Sequence, residues 1–590
     1  WCSNAPPREI DLALEAVYRA LHDEYFLSKE GKPSRFRQHL DENPTSVMLE
    51  NLLPRGKNFA ETLTKITKCT AYNDIERLLH SQKVFTKIEA EKMIDDLKKS
   101  DRLFRLRYVI CGNEDGFESD AFSVMRAFEK LFFSDRPGMH IKNGSKDKTV
   151  QDALMFMMHA LRGSGNEKLN DRIRRAYAKM SDFGSFDASL GKVAYYEYKY
   201  ILRPLMDTAI DFVLEAHGDA IRTAMAVTVK RGGFEKMGEE RPPHPKDKDV
   251  LCVAKKVKKC YRVQVYLMML LQRFSGFRGT SLFNYIANEI LELVFMDPRR
   301  ARNNWQSLLR AGKVRRTCWG DGAPMRGDLS GPKSSATLVV KIGEREPTTS
   351  EIRDRKKKAS KAKEGEDKKK TPVDINAPVD ILRRIDAAQV KEGDDDMGTW
   401  LPHHDWKPQE FTKWVEDMSR RAKSAGSDLV PILKRMDKDV TIEFCGYDIE
   451  MGVGAQCFQG YTSPERNICK FGMKAGAPNP KTLATDTALW LAVMAVESDS
   501  WPAYSAKLAD AARRVALSAS SSKVETTDRE LQHKLGDSFS TARGLYLSVS
   551  DLLAKKSAWS GEKISRPLVY DNHVMLKWLD ELEKCVEFFV

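Results

Sequence analysis

The stretch Ser275-Gly-Phe-Arg-Gly-Thr280-Ser-Leu-Phe-Asn284 leads into a run whose polar and apolar positions are sharply sorted. Gly276 and Gly279 suit a flexible loop opening onto a helix. Leu282, Ile286, Ile290, Leu293 and Val294 follow at helical spacing and predict a buried face. Thr280, Asn284 and Asn288 recur every four residues, so they share one polar stripe. A hydroxyl beside an amide can hydrogen-bond a sugar hydroxyl, which neither a methyl group nor bare backbone can do. Taken alone, the pattern also fits an ordinary amphipathic helix with Ser275 near its cap.

Two acidic motifs flank this helix in the chain. Upstream, Asp182-Phe-Gly-Ser-Phe-Asp187 sets two carboxylates five residues apart across a Gly-Ser bend. A strand ending at Asp182 can aim that carboxylate at a metal, with Asp187 in the following turn; caps of ordinary turns look the same in isolation. Downstream, Gly393-Asp394-Asp395-Asp396 lies between Val390 and the pair Met397 and Trp400, which predicts a strand-turn-strand hairpin. Adjacent carboxylates at a turn tip repel each other unless a divalent cation neutralises them, although an acidic surface turn is the plainer reading of this motif by itself. A further Gly-Asp at Gly320-Asp321 has one carboxylate and no apolar hairpin partner.

Basic residues precede both motifs. Phe85-Thr-Lys87 and Arg105-Leu-Arg107-Tyr-Val-Ile110 carry cations suited to a triphosphate: Arg offers a bidentate fork to phosphate oxygens and Lys a point charge. The alternation over Arg102 to Ile110 predicts a strand with one wet face. Ile10 to His22 predicts a helix, and residues 120–180 and 450–590 read as mainly helical. Between about Arg299 and Pro378 apolar periodicity fades and basic runs such as Lys356-Lys-Lys358 and Lys368-Lys-Lys370 appear. That composition predicts a mobile basic segment, either a solvated insertion or an electrostatic guide for nucleic acid.

Bulk composition sets the outer bounds. The 590 residues carry 97 Lys and Arg against 84 Asp and Glu, a net charge of +13, with 42% apolar and 31% charged residues. This excludes wholesale disorder, a fibrous chain and a membrane bundle. The excess positive charge favours a polyanionic partner, nucleic acid or an acidic membrane face. Ten cysteines without a C-x-x-C pair argue against a zinc ribbon or a disulfide scaffold, and for a reducing compartment. No window reaches the ~18 consecutive apolar residues of a membrane span. The chain opens on Trp1 without a signal-peptide pattern, so it is expected to be a processed product or a piece of something longer. His403-His404 lacks a nearby Cys or His to complete a metal site.

The order of motifs, basic strand, Asp-x4-Asp, SGxxxTxxxN and Gly-Asp-Asp, resembles the RNA-dependent RNA polymerases of positive-strand RNA viruses, and Thr-Ser-Leu-Phe-Asn resembles the tombus-, noda- and flavi-like group most. Ile442-Glu-Phe444-Cys445-Gly446 is similar to the thumb-side grip motif of tombus-like members. The resemblance covers residues 85 to about 450. It implies an α+β, predominantly helical chain folded as a right hand of fingers, palm and thumb, with an antiparallel palm sheet. The implied divisions are an N-terminal helical region and fingers over 1–178, palm and fingers over 179–298, a basic, partly disordered insertion over 299–385, palm with the Gly-Asp-Asp hairpin over 386–450, and a helical thumb over 451–590.

Carried over by position, the resemblance makes Asp182, Asp394 and Asp395 ligands of two Mg2+ ions, with Mn2+ as a substitute, since hard cations take oxygen donors. Asp187 and Asn284, with Ser275 or Thr280, would read the ribose 2′-hydroxyl. Arg107, helped by Lys87 and Arg105, would hold the incoming triphosphate. Lys434 would be the general acid to pyrophosphate, with Lys423 and Lys438 nearby in sequence. Implied partners are RNA template and product, rNTPs and other viral replication proteins, in host cytoplasm at membrane-associated replication complexes. The chain departs from the family in the polar run Gln389, Val390, Lys391, Glu392 before the turn, and in the long gap from Asn284 to Gly393. A reverse-transcriptase-like polymerase would place an aromatic residue where Gly393 stands, and a non-catalytic basic RNA-binding replication protein would leave the aspartates incidental.

Overall fold

A computed structural model of the chain describes residues 6–42 without 30, 82–87, 107–113, 127–135, 150–161 in part, 168–183, 186, 190–208 in part, 280–319, 336–364, 374–452, 459–462, 483–518 without 499, and 573–589. It opens with helices α1 (Arg8–Tyr25) and α2 (Arg35–Glu42). Strands β1 (Gln82–Lys87) and β2 (Arg107–Asn113) follow, then α3 (Leu169–Arg175), β3 (Tyr177–Phe183) and α4 (Lys192–Glu197), which continues as a π-helical turn. The middle of the chain supplies α5 (Thr280–Met296), α6 (Ala301–Trp319), β4 (Ala336–Arg345), α7 (Thr349–Glu364), β5 (Val379–Glu392), β6 (Asp395–Pro402), α8 (Pro408–Ser424) and β7 (Leu429–Arg435). Strands β8 (Val440–Phe444), β9 (Tyr447–Met451) and β10 (Gln459–Tyr461) and helices α9 (Leu483–Glu497), α10 (Pro502–Ser518) and α11 (His573–Phe589) complete it.

Five strands form one antiparallel sheet in the order β4-β5-β6-β3-β7. With the edge strand β4 and helices α4, α6 and α7 set aside, β3-α5-β5-β6-α8-β7 is a βαββαβ unit in which the hairpin's second strand lies beside β3. Helices α5 and α8 pack against each other. Phe411, Trp414, Met418 and Ala422 are the buried face of α8, and Trp414 Nε1 donates to the Met296 carbonyl at 3.2 Å. Arg421 donates to the Phe295 and Met296 carbonyls at the end of α5, satisfying groups that a helix C-terminus leaves open. Pro298 forbids further helix, and Asp297 instead accepts the backbone N–H of Lys341 at 2.8 Å, pinning the end of α5 to β4.

The mobile basic segment expected between about Arg299 and Pro378 has regular structure in its described parts: α6, β4 and α7 lie there, and β5 follows from Val379. Ala336, Leu338 and Val340 alternate inward along β4, and the flanking charges obscured that period in the sequence. Those charges are paired in the fold: Lys341 with Asp380 and Glu344, and Arg345 with Glu351. Asn304 on α6 both accepts the Val339 N–H and donates to its carbonyl, each at 3.0 Å. Residues 320–335, which include Asp321, and 365–373 lie outside the described residues.

Elsewhere, α1 covers the predicted helix, and β2 takes up the end of the predicted basic strand and runs past it to Asn113. The segment 451–590 opens with a short strand, β10, before its helices. There α9, α10 and α11 enclose their own apolar cluster around Leu491, Tyr504, Leu508 and Leu582.

The polar run before Gly393 is buried rather than wet. Lys391 and Gln389 are at most 2% exposed, because four charges meet there between the sheet and α5. Lys391 Nζ donates to Glu292 Oε2 at 2.6 Å and to Asp396 Oδ2 at 3.1 Å. Lys179 Nζ lies 2.5 Å from Glu292 Oε1 and 2.9 Å from Asp396 Oδ2, over the ring of Trp400. Gln389 donates to Glu292 at 2.7 Å, and the Ser181 N–H donates to Asp396 Oδ1 at 2.8 Å. Two ammonium groups and two carboxylates cancel, and hydrogen bonds reach both oxygens of each acid. Burial works against the charge on Asp396, but Lys179 and Lys391 outweigh it and hold the carboxyl below its ordinary value. Burial likewise opposes the Lys391 ammonium, and Glu292 and Asp396 outweigh it and hold that group above its ordinary value.

Asp396→Asn leaves two buried lysines facing one carboxylate and is expected to destabilise the protein by about 3–5 kcal/mol at neutral pH, read as a lower urea midpoint. Because the folded Asp396 pKa is depressed, its contribution is complete above the unfolded value near ~4 and is lost as pH falls through the folded value. The gap between wild type and Asp396→Asn should therefore begin to narrow as pH falls below ~4; a gap that stays constant to pH ~2 would contradict the charge assignment.

Candidate active site

The turn between β5 and β6 consists of Gly393 and Asp394. Gly393 has φ +67°, while Asp394 is not among the positive-φ residues, the pattern of a II′ hairpin turn that matches the twist of the flanking strands. Glu392 stands opposite Asp395 in the ladder. Successive strand residues face opposite sides, and this divides the three aspartates. Asp394 and Asp395 are exposed at the tip, whereas Asp396 is turned inward to the lysines.

Strand β3 brings position 182 to the same tip. The ladder of β3 with β6 ends at Ser181 and Asp396, so Asp182 is the next residue of β3 at the end of the sheet where the turn lies. On its other side Asp182 pairs with Val430 of β7. The side chain of Asp182 is outside the described atoms; its backbone position follows from the strand pairing.

Helix α5 abuts the turn from the other direction. A Cβ added at Gly393 would stand 3.8 Å from Ser281 Cα and 3.9 Å from Asn284 Cβ, so helix and turn are in van der Waals contact. Ser281 Oγ donates to Glu392 Oε1 at 3.3 Å, and Asn288 Nδ2 donates to the backbone carbonyl of Asp394 at 2.9 Å. Thr280 is half-buried and Asn284 is 3% exposed behind it. The stripe Thr280, Asn284, Asn288 is thus no solvent face. It continues to Glu292 and lies against the hairpin, and the helix is buried from Leu282 to Met296.

The remaining sequence candidates separate. Lys87 and Arg107 face each other as partners in the β1–β2 ladder, a sheet distinct from the five-stranded one; their side chains are not described. Arg105, Asp187 and Ser275 lie outside the described residues. Lys434 pairs with Ala178, four residues along β3 from Asp182 and so about 13 Å from the tip, and its Nζ donates to the Thr441 carbonyl at 2.5 Å. Lys423 and Lys438 are exposed near the end of α8 and after β7. His403 lies 3.2 Å from Asp386, which also accepts from Thr337. Ile442, Glu443 and Phe444 end β8 at a tight turn, with φ +51° at Cys445 and +75° at Gly446.

Sequence reasoning passed over Lys179, Glu292 and the inward role of Lys391 and Asp396. Two signals pointed to them: the four-residue stripe runs on to Glu292, and Gln389 and Lys391 alternate on one strand face.

The donor set suits a hard divalent cation. Two neighbouring exposed carboxylates at a hairpin tip offer oxygen ligands, and no ion pair neutralises Asp394 among the described residues. Among the described side chains, no group of three His, Cys, Asp or Glu encloses an ion position, and the Asp182 side chain is not one of them.

Among the described residues, no helix is long and apolar enough to cross a membrane. Set against known proteins, the chain matches no family model and no curated protein.

Proposed function

We propose that this chain is a template-directed RNA polymerase that adds ribonucleotides to RNA, with the βαββαβ unit as the palm of a right-hand fold. The observation that carries the reading is the strand register that sets Asp182 beside the tip bearing Asp394 and Asp395, residues drawn from segments more than 200 positions apart. Contact between the start of α5 and the same turn adds support, because it joins the third motif to the other two.

In this reading the 3′-hydroxyl oxygen of the growing strand attacks the α-phosphorus of an rNTP. The bond to the β-phosphate oxygen breaks, pyrophosphate leaves, and the hydroxyl proton passes to solvent. Two Mg2+ ions held by Asp182, Asp394 and Asp395 would neutralise the triphosphate and acidify the 3′-hydroxyl. Asp394 and Asp395 are exposed at the tip, whereas the lysines neutralise Asp396 on the buried side of the sheet. Thr280 and Ser281 offer hydroxyls at the edge of the turn, and Asn284 sets an amide behind them for the ribose 2′-hydroxyl. Lys87 and Arg107, backbone partners on the β1–β2 ladder, remain the candidates for the triphosphate that the family resemblance implies. Lys434 is bound to Thr441 away from the tip, and no general acid is assigned to it.

Metal-dependent incorporation of rNTP on a homopolymer RNA template tests the proposal. Asp394→Asn is expected to lower incorporation by about a thousandfold or more while RNA affinity stays within about twofold, since phosphate contacts elsewhere supply binding. Near-normal incorporation by that variant would remove the metal assignment, and a preference for dNTP would favour a reverse transcriptase. Asn284→Ala should lower rNTP over dNTP discrimination about tenfold, the value of one lost hydrogen bond, and an unchanged ratio would count against sugar reading by α5.

A further inference from the structure

We propose that Asn288 is a positioning residue: it locks the Asp394 turn to the buried charge cluster and so presents the exposed carboxylates in a fixed geometry for a divalent cation. The catalytic consequence rests on the polymerase reading; the cation-binding consequence does not.

Asn288 is fully buried on α5, one helical turn beyond Asn284 and one before Glu292. Its Oδ1 accepts from Lys391 Nζ at 2.5 Å, and its Nδ2 donates to the Asp394 carbonyl at 2.9 Å. This orientation is not arbitrary. An ammonium group only donates, so the amide oxygen must face Lys391, which leaves the NH2 group for the turn. Lys391 in turn has no freedom to rotate away. Its three hydrogens are taken by Asn288, Glu292 and Asp396.

The chain of contacts therefore runs from Glu292 through Lys391 and Asn288 to the backbone of Asp394. Each link is hydrogen-bonded and buried, apart from the turn itself. A two-residue hairpin turn has no other tether to α5 at its second position among the described residues; Ser281 reaches only Glu392, before the turn. Groups that orient ligands from behind commonly change metal affinity or activity about 10–100-fold when removed.

The test uses the full chain with Asn288→Ala and, because a void at a buried site can impair folding, Asn288→Leu, which fills the volume without the amide. Mn2+ binding is measured by electron paramagnetic resonance, alongside rNTP incorporation kinetics and thermal unfolding. Both variants are expected to bind Mn2+ about 10–100-fold more weakly and to lose kcat by a similar factor, with KM for rNTP within about twofold. Asn288→Leu should do so with most of its thermal stability retained. A merely structural Asn288 would lower the melting temperature yet leave Mn2+ affinity and kcat per folded molecule unchanged, and that result overturns the proposal. If the wild type binds Mn2+ but makes no RNA, while both variants bind Mn2+ more weakly, the positioning role stands and the polymerase reading falls. If the wild type binds no Mn2+, the positioning role fails whatever its polymerase activity.

Discussion

The neutral quartet of Lys179, Lys391, Asp396 and Glu292 is the constraint on which the centre of this molecule depends. Each member comes from a different element, β3, β5, β6 and α5, so the cluster closes only when all four are in register. A one-residue slip of any strand would turn its charge outward and leave the others buried without compensation. The quartet therefore acts as a register key for the βαββαβ unit. Apolar packing around it supplies affinity between the layers but tolerates sliding more readily.

That register has a chemical consequence. Once Asp396 is committed inward, alternation commits Asp395 outward, and the II′ turn holds Asp394 at the tip. The same pairing of β3 with β6 delivers position 182 to the tip. A cluster that stabilises the sheet from below thus determines which carboxylates face solvent above it. This separates structural acids from candidate metal-binding acids within one run of three aspartates.

Much of this arrangement was legible in the chain. The helix from Thr280 follows from its apolar spacing, and the hairpin at Gly393 from a turn residue between apolar strands. The meeting of these motifs was expected from their order, a family resemblance rather than a physical derivation. What the sequence concealed were features set by partners distant in the chain. Lys391 reads as a surface residue until Glu292 and Asp396 are placed around it, and β4 reads as basic loop until Asp380 and Glu351 offset its cations. The polar stripe of α5 reads as solvent-facing, because no local signal says that a polar hairpin packs upon it. Lys434 failed as a neighbour of the tip for a related reason: distance along a strand, not proximity in sequence, decides reach.

The proposed polymerase requires Asp182, Asp394 and Asp395 to hold its two Mg2+ ions together. Replacing Mg2+ with Fe2+ and generating hydroxyl radicals at the bound ion maps their site directly, by cutting backbone within reach of the metal. The expected pattern is paired cleavage around residue 182 and around residues 394–395, suppressed by excess Mg2+. Cleavage at only one of these segments, or at neither, would contradict it.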